Sequence, residues 1–351
     1  MKTLCKDSIS SFVHLIRDAA RPVIVTHTKP DGDAFGSSIA MYHFLISLGK
    51  DGTRIVLSNR YPHSVDFLAD SRSVNDTIIC EENKEEALRT ISEGDLIICL
   101  DFNSFPRTGM LEDALSESTA AKVLIDHHLG PDAEKFRICF SEPEISSASE
   151  LLYHIFMAMP QTGGNADKLP EQAATALMTG MITDTNNFAN STYPSTLAMA
   201  SSLIASGVDR DMILRNLFQR FGEMRLRLLG HILKDLLRIT EDGVAYMILD
   251  SETLRSHHVA EGDTEGFVNM PLSIEKVGMS IMLKEDGDTV RVSIRSKPGI
   301  SANTCAKLHF NGGGHENAAG GKLVIGKEIA SMEQAEEYVR SHAHIYMTTG
   351  R

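Results

Sequence analysis

The chain has no apolar run near the ~18 residues that a membrane-crossing helix requires; stretches such as Leu96-Ile97-Ile98-Cys99-Leu100 end at charges within a few positions. No membrane span is expected. The N-terminal segment lacks the apolar core of a secretory signal, because Asp7, His14, Arg17 and Asp18 interrupt it, so the expected location is cytoplasmic. Cysteines are few and odd in number (Cys5, Cys80, Cys99, Cys139, Cys305), without a CxxC pair, which argues against a disulfide framework and for reduced, buried thiols. Aromatic residues make up only 6% of the chain, and 34 basic residues face 47 acidic ones, a net charge of −13. A basic channel lined with stacking rings is therefore not available, and long duplex nucleic acid is not an expected partner. A nucleic-acid substrate, if there is one, should be short.

What is present fits a folded protein of two domains, or three small ones: 351 residues, 42% hydrophobic and 23% charged, with 11 prolines. Residues 22–27 read as a buried strand, and the periodic stretch 36–48 after them as a helix. Residues 95–101 (DLIICLD) and 122–126 (KVLID) are further short apolar strands, each ending in an aspartate. Helical patterns follow at 147–157 and 171–182. Strands alternating with helices imply an α/β fold with a doubly wound parallel sheet, whose ligand site lies beyond the carboxyl ends of its strands.

Residues 194–238 carry only helical patterns and read as a helical connector between a first domain at 1–193 and a second at 239–351. The second reads as a smaller α/β domain: strands at 243–249, 277–283 and 289–295, a turn at 285–288, a helix at 301–310 and a glycine run at 312–314. The acidic stretch 81–86 is expected to be a solvated helix start.

The residues that could carry chemistry gather at the ends of these elements. His27, Asp31 and Asp33 follow the first strand within seven residues, with Gly32 between the acids. Such a set offers a divalent-metal half-site. It offers equally a helix N-cap by Asp33 with Asp31 in a turn. Asp101 ends an otherwise apolar strand, where its charge is expensive unless solvated or bound by a cation. Asp126-His127-His128 repeats the arrangement at the next strand's end, with the two imidazoles pointing apart. Asp184 lies at the end of a helix or in the loop after it. Four such clusters in one α/β domain are unlike independent accidents.

Taken as HTKPDGDAFGS (27–37), LIICLD (96–101), LIDHH (124–128) and MITDTNNF (181–188), these segments resemble the motifs of the DHH phosphoesterase superfamily, in order and with similar spacing. Arg295-Ser296-Lys297, Asn303 and GGGHENAAG (312–320) resemble the DHHA1 substrate-binding domain. The resemblance covers nearly the whole chain and looks like the stand-alone subfamily of nanoRNases and 3′-phosphoadenosine-5′-phosphate (pAp) phosphatases. One departure is Asn311, where relatives usually carry a fourth glycine; asparagine tolerates left-handed geometry, so the loop should survive.

Carried onto matching positions, the resemblance implies one metal ion held by His27, Asp31 and Asp101, and a second by Asp33, Asp101, His127 and Asp184, with Asp101 bridging. A water activated between the ions would attack phosphorus, and His128 would contact the phosphoryl oxygens. Mixed nitrogen and oxygen donors suit Mn²⁺ better than Mg²⁺, with Co²⁺ or Zn²⁺ also able to bind. Arg295, Ser296, Asn303, Gly313, Gly314 and His315 would clamp a second phosphate from across an interdomain cleft, with residues 194–238 as hinge.

The expected function is hydrolysis of short oligonucleotides from the 3′ end and of pAp to AMP. Degradation of a cyclic dinucleotide or of pApA is the close alternative. An exopolyphosphatase or pyrophosphatase is disfavoured by the GGGH segment, and a non-catalytic nucleotide sensor by the full set of metal-ligand candidates. A homodimer is consistent with the resemblance.

Overall fold

A computed structural model describes residues 4–220, 222–259 and 262–350. It divides into two compact units, residues 1–220 and 221–351. No described helix is long and apolar enough to cross a membrane.

The first unit is built on a six-stranded parallel sheet ordered β3-β2-β1-β4-β5-β6. Its strands are β1 (Pro22–Thr26), β2 (Arg54–Leu57), β3 (Thr77–Ile79), β4 (Leu96–Leu100), β5 (Ala121–Asp126) and β6 (Ile138–Ser141). Every residue of β1 and β4 is buried, as a strand covered on both faces requires, and alternate residues feed opposite cores. Ile24 and Ile98 face one cluster; Val23, Val25, Ile97 and Cys99 face the other. The first cluster is covered by α1 (Lys6–Asp18), α2 (Gly32–Ser47), α6 (Ala148–Ala158) and α7 (Glu171–Asp184). Across the sheet lie α4 (Lys84–Glu93) and α5 (Glu112–Glu117), while the short α3 (Ser71–Asn75) precedes β3. The acidic stretch is the start of α4, capped by Asn83, which accepts from the Glu86 N–H.

Helix α2 is buried at every position from Gly32 to Leu45 because it packs against both the sheet and α7. Two glycines permit that approach. A Cβ on Gly36 would stand 2.8 Å from the Ala176 carbonyl oxygen, and one on Gly180 would stand 2.8 Å from Asp33 Oδ1. The small residues thus press the start of α2 against the carboxyl half of α7, where the polar residues of both helices converge.

The helical stretch 194–238 is shared between the units. Helices α8 (Pro194–Ala205) and α9 (Arg210–Phe218) place Met199, Leu203, Ile213 and Leu217 in the first unit's core. Helix α10 (Glu223–His231) places Leu228 in a cluster of the second, with Ile232, Met247, Leu249, Phe267 and Met282.

The second unit is a mixed sheet ordered β11-β12-β10-β9-β8-β7. Its strands are β7 (Arg238–Ile239), β8 (Val244–Leu249), β9 (Met279–Asp286), β10 (Thr289–Ser296), β11 (Gly313–His315) and β12 (Ala318–Val324). All pairs are antiparallel except β8 with β9, which the crossover carrying α11 (Ser251–Ser256) joins in parallel. β9 and β10 form a hairpin closed at Gly287, whose φ of 61° needs a residue without a Cβ penalty. α12 (Ala302–His309) and α13 (Ala335–Thr349) cover one face of this sheet. All five cysteines are free; Cys80, Cys99 and Cys305 are buried, and burial pushes the Cys305 thiol up to about 12.

Candidate active site

β1 and β4 are the neighbours at which the strand order reverses, and the crevice beyond their carboxyl ends is where such sheets bind ligands. His27 leaves β1, Asp101 leaves β4, and His127 and His128 leave β5. Asp31 caps α2, and Asp184 is the last residue of α7, so two helix ends complete the ring.

Asp101 is the centre of this group. It is 2% exposed and has a left-handed φ of 61°, a conformation that disfavours a residue with a Cβ and persists only where the surroundings impose it. Its N–H continues the ladder to the Ile125 carbonyl at 3.1 Å, which fixes the backbone. Its two oxygens then face different imidazoles: Oδ2 lies 3.4 Å from His27 Nε2, and Oδ1 lies 3.4 Å from His127 Nε2. His127 Nε2 is also 3.4 Å from Asp184 Oδ2, and His27 Nε2 is 3.9 Å from Asp31 Oδ2.

The ring of His27 is oriented by its other nitrogen. Nδ1 sits 2.9 Å from the Thr28 carbonyl oxygen, which can only accept, so Nδ1 carries the hydrogen and Nε2 is left as a ligand atom. His128 is held differently: its Nδ1–H donates to Asp126 Oδ1 at 2.7 Å, and its backbone N–H donates to Asp126 Oδ2 at 3.1 Å. Asp126 is fully buried, so it sets the orientation of His128 and does not face the crevice.

Asp33 is not the cap of its own helix. That role belongs to Asp31, whose Oδ1 accepts from the Asp33 and Ala34 N–H groups at 3.0 Å. Asp33 instead accepts from the N–H groups of Ala148 and Ser149 at 2.7 and 2.9 Å, at the start of α6. The reading of Asp33 as the N-cap of its own helix is therefore corrected: it accepts from the first amides of α6, a helix far away in sequence whose N-cap is Ser147.

The electrostatics show crowded carboxylates in want of positive charge. Burial depresses the imidazole of His27, but the Asp101 carboxylate more than offsets this and pushes it up to about 9. The same opposition pushes His127 up to about 10. Burial would raise Asp101, yet His127 and His27 hold it well below the usual carboxylate range. Asp33 is pushed up to about 7 by burial and by Asp101, and Asp184 is raised by burial and by Asp33. Asp101 Oδ1 has no hydrogen-bond partner although it is buried. An orphaned oxygen 3.4 Å from His127 Nε2 and 3.7 Å from His128 Nδ1 suits a cation.

Among the described residues, three groups of donor atoms lie within 4.8 Å of one another: His27 with Asp31 and Asp101; Asp33 with His127 and Asp184; and Asp101 with His127 and His128. These nitrogen and oxygen sets fit divalent ions, with Asp101 common to two of them.

In the second unit, Arg295 lies on β10 opposite Ala318. Its Nη1 donates to the Ile294 and Ala319 carbonyls at 2.9 and 3.4 Å, and no carboxylate among the described residues contributes to its electrostatics. Burial alone lowers its pKa. Ser296 Oγ donates to the Ile300 carbonyl at 2.6 Å and accepts from Asn317 Nδ2 at 3.0 Å. Asn303 Oδ1 accepts from the Gly314 N–H at 3.0 Å. The glycine run is a short edge strand, not a loop: Gly313, Gly314 and His315 pair with Gly320, Ala319 and Ala318. A Cβ on Gly312 would stand 1.9 Å from the Gly320 carbonyl oxygen, which is why the residue just before the strand is glycine. Asn311 adopts the left-handed φ of 48° expected of it.

Comparison with known proteins decides the family. Residues 21–181 match the N-terminal domain of the DHH family, and residues 241–341 match the DHHA1 domain. The chain belongs to the DHH family. A crystal structure of an exopolyphosphatase-related protein from Bacteroides fragilis is 34% identical, with a TM-score of 0.91 over 99% of this chain and 98% of that one. The bifunctional oligoribonuclease and PAP phosphatase NrnA of Thermus thermophilus is 28% identical over 86% of this chain and 83% of its own. The cyclic-di-AMP phosphodiesterase GdpP of Geobacillus thermodenitrificans is 26% identical over 96% of this chain and 49% of its own.

Within the DHH domain the crevice brings together His27, Asp31, Asp33, Asp101, His127, His128 and Asp184, all of them singled out by their motifs. Arg295, Ser296, Asn303, Gly313, Gly314 and His315 gather in the DHHA1 domain around β10, β11 and α12. Sequence reasoning gave Asp126 no role of its own, although its place before two histidines was the available signal. It also missed the amides of Ala148 and Ser149, which no local pattern could connect to Asp33.

Proposed function

We propose that this DHH phosphoesterase removes nucleotides from the 3′ end of very short oligonucleotides and the 3′-phosphate from pAp, leaving AMP. The observation that carries the reading is Asp101, a buried carboxylate whose two oxygens face His27 and His127 on opposite sides. That arrangement supports His27, Asp31 and Asp101 as holders of one divalent ion, and Asp33, Asp101, His127 and Asp184 as holders of a second. Donors of mixed nitrogen and oxygen favour Mn²⁺. When bound, such a pair lowers the pKa of a water molecule and neutralises phosphoryl charge.

The chain's own residues supply the placement. Thr28 fixes the nitrogen of His27 that faces the cation, and α6 fixes both oxygens of Asp33. Asp126 takes the Nδ1–H of His128, so Nε2 is the atom directed at the phosphoryl or leaving oxygen. Arg295, without a carboxylate partner, would receive the substrate's other phosphate. Ser296 and Asn303, already engaged in local hydrogen bonds, would hold Gly313, Gly314 and His315 in place beside it. The net charge of −13 fits substrates that are short.

The resemblance to GdpP over 96% of this chain supports a second reading, cleavage of a cyclic dinucleotide or of pApA. Chromatographic analysis of products from pAp, pApA, a five-nucleotide RNA and cyclic di-AMP, each incubated with Mn²⁺-loaded protein, separates the two. AMP from the linear substrates with cyclic di-AMP intact supports the first; early loss of cyclic di-AMP supports the second. No reaction with any of them removes both.

A further inference from the structure

The backbone turns sharply just beyond Asp184. Asn186, Asn187 and Phe188 have φ values of 46°, 55° and 68°, three successive left-handed residues without a glycine among them. Asparagine tolerates this region, but phenylalanine does not adopt it without support, and strain of this kind collects at functional sites. The support is visible. The Asn187 N–H donates to the Ile182 carbonyl at 2.8 Å, the Phe188 N–H donates to Thr185 Oγ1 at 3.0 Å, and Arg210 Nη2 donates to Asn187 Oδ1 at 2.7 Å.

The turn brings Asn186 and Asn187 to a cavity of about 380 Å³ that is lined also by Leu214, Phe218 and Gln219. That volume lies in the range of about 300–1,000 Å³ typical of small-molecule sites. No charged residue lines it, so a phosphate is not its occupant. Phe218 presents a ring that is 39% exposed, and Leu214 adds a second apolar surface. The carboxamides each offer a donor and an acceptor, and Arg210, bound to Asn187 Oδ1, leaves its Nδ2 as the donor. A planar, neutral ligand with hydrogen-bonding edges matches this combination.

We infer that the cavity beside Asn186 and Phe218 is a nucleobase subsite, in which a base of the substrate stacks on the Phe218 ring and meets the carboxamides at its edge. The inference rests on the nucleotide chemistry proposed above and adds the place where a base is held. Stacking on a ring tolerates any base, so the subsite would favour nucleotides over base-free esters without selecting a sequence.

The test compares wild type with Phe218→Ala and Asn186→Gly, the latter keeping a left-handed backbone while removing the carboxamide. Two quantities are measured: the ratio of kcat/KM for pAp to that for ribose 3,5-bisphosphate, which carries the same phosphates and no base, and the affinity for AMP by calorimetry. In Phe218→Ala the ratio falls about tenfold and AMP binds about tenfold more weakly, while Phe218→Tyr retains both. An unchanged ratio and unchanged AMP affinity in Phe218→Ala overturn the subsite. If the wild type cleaves no nucleotide, the proposed function fails and AMP affinity decides alone: weaker binding in Phe218→Ala supports the subsite, and equal or absent binding overturns it.

Discussion

The carboxylate of Asp33 and the backbone N–H of Ala148 meet at 2.7 Å although 115 residues separate them in sequence. With Ser149 donating to the other oxygen, the start of α6 holds Asp33 rigidly before any cation arrives. Ordering a ligand in advance removes a cost that binding would otherwise carry. Gly180 makes room for this contact, since a Cβ there would stand 2.0 Å from Ser149 Oγ and 2.8 Å from Asp33 Oδ1.

Gly180→Ala should therefore lower stability by about 1–3 kcal/mol, despite the better helix propensity of alanine, because either Asp33 or Ser149 must move. Mn²⁺ affinity should fall with it. Urea unfolding and metal titration of the purified variant check both, and a variant as stable as wild type with equal affinity would show that the packing is loose.

Asp126→Asn keeps the shape of the group that orients His128 but replaces its charge. Turnover should drop about 10- to 100-fold, as for other groups that orient an active-site imidazole, while metal stoichiometry stays that of wild type. Loss of bound metal in this variant would move Asp126 into the ligand set.

Arg295→Ala should raise KM for pAp by at least about 30-fold, equivalent to about 2 kcal/mol for a charge left without its partner, with kcat less affected. A wild-type KM would remove Arg295 from phosphate recognition.

Glu150 gives a stability prediction with a definite sign. It is fully buried, accepts from Thr196 Oγ1 at 2.7 Å and from both the hydroxyl and the N–H of Ser146, and faces His154 Nε2 at 3.5 Å. Burial would raise its pKa, but His154 and the hydroxyls outweigh this and hold it at about 2, against an ordinary value of 4.5. The folded pKa is the lower one. The contribution is therefore fully present above about pH 5, and it is lost as pH falls through 4.5 toward 2, on the order of 3 kcal/mol in all. Denaturation at a series of pH values should show the advantage of wild type over Glu150→Gln shrinking across that window. Parallel curves would mean that the carboxylate has the same pKa folded and unfolded.

The central strands were legible in the sequence because β1 and β4 are almost wholly apolar and β5 carries the apolar run Val123-Leu124-Ile125, a pattern that a strand buried on both faces needs. β2, β3 and β6 were not read, being three or four residues long and bounded by segments without periodicity. β12 escaped for another reason: Ala318-Ala319-Gly320-Gly321 has the composition of a loop, yet these small residues let β11 and Phe310 approach the backbone closely. His27, Asp101 and His127 could be found because each follows a strand directly. Their grouping into sets came from the family's motifs, since spacing along the chain does not say which imidazole faces which oxygen of Asp101.

Titration of metal-stripped protein with Mn²⁺, followed by calorimetry with pAp turnover recorded at each addition, tests the metal centre most directly. Wild type should bind two equivalents and gain turnover as the second fills, and Asp101→Asn should bind fewer and remain inactive. Turnover without metal, or an Asp101→Asn variant that keeps two ions and full activity, would contradict a phosphoesterase built around Asp101.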